Sequence, residues 1–228
     1  MVPHMIVAMV AMAGLLGGVD GNGKLKEEAR EVGEFHAISV GAGIQGTVTL
    51  GVKASVKVEA DENLLPLIRT RVEGGELIVD TKESIAPTKP VKLTVVATKL
   101  DGAGVSGGAR LQAPASAGPK FAVRASGGGR LEVSGIASDE CAIETSGGAN
   151  VTLTGKAKRL EVEASGGAHL TADGLAAESA KIAASGAARV ALDVSGEATG
   201  AASGAARVSF KGKPQKNQIA TSGAARAD

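Results

Sequence analysis

Tryptophan and tyrosine are absent from this sequence, and phenylalanine occurs only at Phe35, Phe121 and Phe210. Each aromatic ring brings about 150–250 Å² of burial to a core. Without them, a chain of 228 residues cannot fill one thick globule and must assemble a thin interior from small side chains. The usual stacking surfaces for sugar rings are missing for the same reason. Cysteine occurs once, at Cys141, which excludes an intramolecular disulfide. Sharing a strand phase with Ile143, it reads as a small inert hydrophobe. No charge excess exists either: 25 Lys and Arg face 24 Asp and Glu, a net charge of +1. That balance argues against a nucleic-acid binder. Histidine is confined to His4, His36 and His169. No His or Cys pair stands at ligand spacing and no calcium-loop pattern occurs, so neither a metal nor another cofactor is expected. No nucleotide-binding loop is present, because the glycine runs lack a following helix.

Glycine is abundant instead, with 33 residues, and much of it is periodic. A Ser-Gly-small tripeptide begins at Ser106, Ser126, Ser146, Ser165, Ser185, Ser203 and Ser222, at intervals of 20, 20, 19, 20, 18 and 19 residues. Apolar residues two apart precede each serine, as in Phe121, Val123 and Ala125 or Leu160, Val162 and Ala164. Another alternating pair follows each small run: Leu131 and Val133, Val151 and Leu153, Leu170 and Ala172, Val190 and Leu192. Each repeat therefore reads as strand, Ser-Gly corner, strand and a variable turn such as "GKAKR" or "GLAAES". Glycine supplies the positive φ of a corner, and the serine hydroxyl is placed to bond its own backbone or the serine one repeat away. One such repeat cannot bury its apolar face alone. Stacked in parallel at about 4.8 Å, the repeats form inward columns. The expected fold is all-β: a β-solenoid, or β-helix-like stack, over 101–228.

Ahead of it, residues 34–100 read as an N-terminal β-rich section. Val56 and Val58 alternate with polar neighbours, Leu64 to Leu67 suggest a helical turn, Gly74-Gly75 suggests a hairpin, and Pro90 opens a further strand. Residues 20–33 are polar and glycine-containing and read as a linker. Residues 1–19 read as an apolar, signal-like leader that either is cleaved or anchors the protein. No Lys or Arg precedes its apolar run "MIVAMVAMAGLLGG", and Val19 stands where a lipidated cysteine would be, so no lipid is expected there.

The stretch "FHAISVGAGIQGTVTLG", with "ASVKVEADENLLPLIRTRVEGGELIVDT" and the iterated "SGGA" corners, resembles the head GIN domain, the autotransporter-adhesin domain of bacterial envelope proteins. The resemblance covers residues 34–228. It implies a β-helix-like fold, an exported location in the periplasm or on the outer surface, and no catalytic residues.

Position four after each serine carries Arg110, Arg130, Asn150, His169, Arg189, Arg207 and Arg226. In register, these form one outward column that splays, recruits anions or is partly neutralised by Glu132, Glu144, Glu161 and Glu163. The serines themselves are structural corners, because seven copies cannot share one catalytic histidine. A non-enzymatic binding or adhesion module of the cell envelope follows. Its partner is an acidic polysaccharide or another surface component, with the cation column as the binding stripe. One alternative is a structural protein self-associating through open solenoid ends, since "SGAARAD" shows no polar cap. A polysaccharide-active enzyme is the other, resting on fold precedent alone.

Overall fold

The computed structural model describes residues 18–228, so the apolar leader lies outside the described residues except for Gly18 and Val19. Val19–Asp20 (β1) lies parallel to Ile85–Ala86 (β8). Leu25–Arg30 (β2) is also a strand, antiparallel to Ser55–Asp61 (β5). The segment expected to be a linker is thus part of the sheet. Its charges conceal the strand: Glu27 pairs with Lys57 at 2.8 Å, and Arg30 donates to the Leu65 carbonyl at 2.8 Å. A charged strand of this kind closes the backbone edge of β5 without adding to the core.

Two stacks of strands run side by side through the molecule. In one, Ile68–Glu73 (β6) and Glu76–Thr81 (β7) form the expected hairpin. β7 then pairs in parallel with Ala37–Val40 (β3), which pairs with Gly102–Val105 (β10). In the other, β2 and β5 lead to Lys92–Ala97 (β9). β9 pairs in parallel with Gln45–Leu50 (β4), which in turn pairs with Arg110–Pro114 (β11). The expected helical turn is a short 3-10 turn at Leu65–Leu67, where Leu65 packs inward.

From β10 onward every pairing is parallel, with one rung laid on the next. Gly118–Ala125 (β12) is followed by Arg130–Thr145 (β13), Asn150–Ala164 (β14), His169–Ala184 (β15) and Arg189–Ala202 (β16). Arg207–Phe210 (β17), Lys216–Thr221 (β18) and Arg226–Ala227 (β19) make the last turns. The segments expected as variable turns are not loops. "GKAKR" lies inside β14 and "GLAAES" inside β15, and the chain bends there through register shifts between neighbouring strands. Bulges bend a strand while leaving the rest of the ladder paired.

The interior is as thin as the composition requires. Leu111, Leu131, Val151, Leu170, Val190 and Val208 stand in successive register and are buried, forming one apolar file. Phe121, Cys141, Leu160 and Ala180 form a second, and Val123, Ile143, Val162 and Ile182 a third.

Candidate functional site

The corner determines what can face solvent. The Ser146, Ser165 and Ser185 amides each donate to the residue before the preceding serine: Ala125, Thr145 and Ala164, at 2.8–2.9 Å. Ser126, Ser203 and Ser222 do the same, and Ser106, the first, donates to Val40 ahead of Gly41, so all seven serines stand in one column. Backbone bonds close the corner, as in Ala149 N to Ser146 O at 3.3 Å. Among the described residues the hydroxyls of these serines take no hydrogen bond within the protein, contrary to the expected local bonding; the backbone alone makes the turn. Five of them, Ser106 to Ser185, line an open groove of about 690 Å³ beside Arg124, Glu144 and Glu163.

Beyond the corner, Arg110 pairs in register with Arg130, Arg130 with Asn150, Asn150 with His169, His169 with Arg189, Arg189 with Arg207, and Arg207 with Arg226. The seven positions are one file along the solenoid, all exposed except the half-buried His169. Side chains alternate along each strand, so this file and the one two residues on share the outer face. The second file runs Gln112, Glu132, Thr152, Thr171, Ala191 and Ser209.

Elsewhere many charges are paired from rung to rung. Lys120 meets Glu140 at 3.0 Å, Arg159 reaches the same Glu140, Lys158 meets Asp139 at 2.7 Å, and Lys216 meets Glu197 at 2.7 Å. Lys120 and Arg159 hold the Glu140 carboxyl below its ordinary value, as Lys158 does for Asp139. Among the described residues the arginines in ion pairs are Arg30, Arg69, Arg71, Arg124 and Arg159. Arg110, Arg130, Arg189, Arg207 and Arg226 are not among them. Glu144 and Glu161, expected near the file, lie on the face before the corner, where they meet Arg124 at 3.6 Å and Lys181 at 3.4 Å. Glu163 shares that face, in register with Glu144. Glu132 flanks the file and accepts a hydrogen bond from Gln112 at 3.1 Å, and at the far end Asp228 stands two residues after Arg226, beside Ser209. Neighbouring cations about 5 Å apart repel by roughly 0.8 kcal/mol even in water. Within the file, Arg189 Nη1 donates to His169 Nε2 at 2.9 Å, which fixes that guanidinium along the strands.

Other polar clusters are structural in geometry. His36 Nδ1 meets Asp101 Oδ1 at 2.7 Å, and Lys99 meets the same carboxylate at 2.8 Å. Burial pushes the Asp101 carboxyl up, but bonds from Lys99 and His36 outweigh it and leave it below its ordinary value. No described histidine is bonded to a corner serine; His169 bonds Arg189 and His36 bonds Asp101. Among the described residues no group of three His, Cys, Asp or Glu could hold a metal ion, and no helix is long and apolar enough to cross a membrane.

Fold and surface together define a β-solenoid repeat protein that presents in-register columns on its outer faces. Residues 34–214 match the family described as "putative auto-transporter adhesin, head GIN domain", and the chain belongs to that family. Its solenoid is similar to the crystal structure of a putative adhesin from Bacteroides fragilis, with a TM-score of 0.82 at 18% identity over 91% of this chain and 98% of that one. It is also similar to a putative lipid binding protein from Parabacteroides distasonis, with a TM-score of 0.72 at 18% identity, over 92% and 99% of the two chains. For a putative adhesin from Parabacteroides merdae the TM-score is 0.63 at 18% identity, over 92% and 98%. At such identities the likeness concerns the fold alone. No curated protein matches the chain.

Proposed function

We propose that the chain is a non-enzymatic binding module, exported to the bacterial cell envelope, that holds acidic polysaccharide along the file from Arg110 to Arg226. Its membership of an adhesin-named family supports the coarser part of this reading. The observation that carries the finer part is the contrast in charge. On the other faces Lys120, Lys158, Lys181 and Lys216 pair with carboxylates across rungs, whereas five arginines in one file pair with none among the described residues. A polyanion laid along the solenoid meets Arg110 and Arg130, and then Arg189, Arg207 and Arg226, at about 4.8 Å intervals within each group. Contacts made by one polymer share a single association cost, so weak individual contacts accumulate.

Binding of this origin depends on salt. The Debye length falls from about 10 Å at 0.1 M to about 3 Å at 1 M, and affinity should fall with it. The test is binding of the purified protein to polygalacturonate, dextran sulfate and neutral dextran. The reading expects low-salt binding to the two acidic polymers, none to dextran, and loss when Arg189, Arg207 and Arg226 are changed together to Gln. Equal binding to neutral dextran, or a triple variant that binds as well as the parent, rules it out. Cleavage of any of the polymers would rule out the non-enzymatic part.

A further inference from the structure

The cation file is not uniform, and the difference lies in the neighbouring file. Two notches open on the outer face between successive arginines. The first, of about 290 Å³, lies between Arg110 and Arg130 and is lined also by Gln112 and Glu132. Its flank already carries a negative charge, the Glu132 carboxylate, which is held by Gln112 and paired with neither arginine. The second, of about 220 Å³, lies between Arg189 and Arg207 and is lined also by His169, Thr171, Ala191 and Ser209. It contains no carboxylate. At the position equivalent to Glu132 stands Ala191, whose methyl group leaves room where Thr171 on one side and Ser209 on the other carry hydroxyls. At about 30 Å³ per water, the space holds several waters that a ligand can displace.

Resting on the reading above, we propose that the notch over Ala191 is the seat for one acidic sugar residue of the polymer. Its carboxylate or sulfate would lie between the Arg189 and Arg207 guanidiniums, and its ring hydroxyls would lie against Thr171 and Ser209. The His169–Arg189 hydrogen bond prepares the seat, because a guanidinium already oriented loses less freedom on binding. Charge-assisted bonds from two arginines to one anion are the strong contacts, so the seat contributes more than any other position along the file. The notch beside Glu132 has the same geometry but a negative charge on its flank that repels an acidic sugar, so it does not compete.

The experiment measures binding of dextran sulfate and of polygalacturonate to the full protein and to single variants at low salt. The two probes separate sulfate from carboxylate as the preferred anion. Ala191→Leu fills the notch without changing charge and should weaken binding by at least about tenfold, the loss of roughly one charge-assisted contact. Thr152→Leu places the same side chain in the same file outside either notch and should leave affinity within about twofold, as expected for a residue beyond the seat. Ala191→Gln repeats the test with a polar side chain, should Ala191→Leu not fold, and melting curves confirm folding for each. Equal losses for Ala191→Leu and Thr152→Leu, or no loss for either, overturn the seat. If the triple arginine variant abolishes binding while both Ala191 variants bind like the parent, the seat falls and the file stands. If the parent protein binds neither polymer, both fall.

Discussion

The amide of Gly167 donates to the carbonyl of Gly147 across one rung, at 2.7 Å. Gly166, one residue earlier, has φ +69, and a Cβ there would stand 2.9 Å from that same Gly147 oxygen. Gly166, like the first glycine of the other corners from Gly147 onward, is therefore required twice, by its conformation and by its neighbour. The second is not. A Cβ on Gly167 meets Gly147 O at an ordinary 3.6 Å, and alanine already occupies the equivalent positions 187, 205 and 224. Gly166→Ala should cost about 1–3 kcal/mol for the forced left-handed residue, more if the rung must shift. Gly167→Ala should be neutral or stabilise by up to about 1 kcal/mol through the unfolded chain. Chemical denaturation of the two variants checks the difference in sign.

Leu170 is 2% exposed, with Val151 below it and Val190 above it in the apolar file. Leu170→Ala should destabilise by about 2–4 kcal/mol, because paired backbones on both sides prevent the rungs from closing the space. A loss near zero in a urea titration would show that the file is not packed as described.

Asp61 is buried at the end of β5 and receives three hydrogen bonds: from Thr88 Oγ1 at 2.7 Å, Thr88 N at 2.9 Å and Gly23 N at 2.7 Å. The Thr88 hydroxyl bond is the largest influence on its carboxyl; burial opposes it, and the backbone donors add to it, leaving the group below its ordinary value. A carboxyl lowered in the folded state contributes stability that is complete above the unfolded value of about 3.9 and is lost as pH falls through the folded value. The melting temperature should therefore fall as the solution is acidified below about pH 4. Asp61→Asn should already melt lower at neutral pH and show a shallower acid slope, with Asp80, Asp101, Asp139 and Glu140, also lowered, supplying the remainder.

Cys141 is fully buried between Phe121 and Leu160 in its file, and burial pushes its thiol up to about 12. The thiolate is the reactive form, so the folded protein should resist alkylation at pH 8. Urea should release one reactive thiol per chain. Rapid alkylation without denaturant would contradict the burial.

Period-two alternation and the regular return of Ser-Gly determined the repeat, its inward phase and the register of the arginine file. They could do so because in a parallel stack each residue meets its equivalent one repeat away, so sequence spacing becomes spatial alignment. The hairpin at Gly74-Gly75 and the turn at Leu65 were legible for local reasons, since their geometry is fixed within a few residues. Three features were decided only by the tertiary structure. Leu25–Arg30 becomes a strand because β5 offers a free edge, a partner some thirty residues away that no local pattern announces. The corner-preceding face removes Glu144 and Glu161 from the arginines to which they are close in sequence, because the chain turns between them and meets Arg124 and Lys181 from other rungs. The open notch over Ala191 arises from a small residue in one rung beside arginines in two, a coincidence across separate repeats that only stacking brings together.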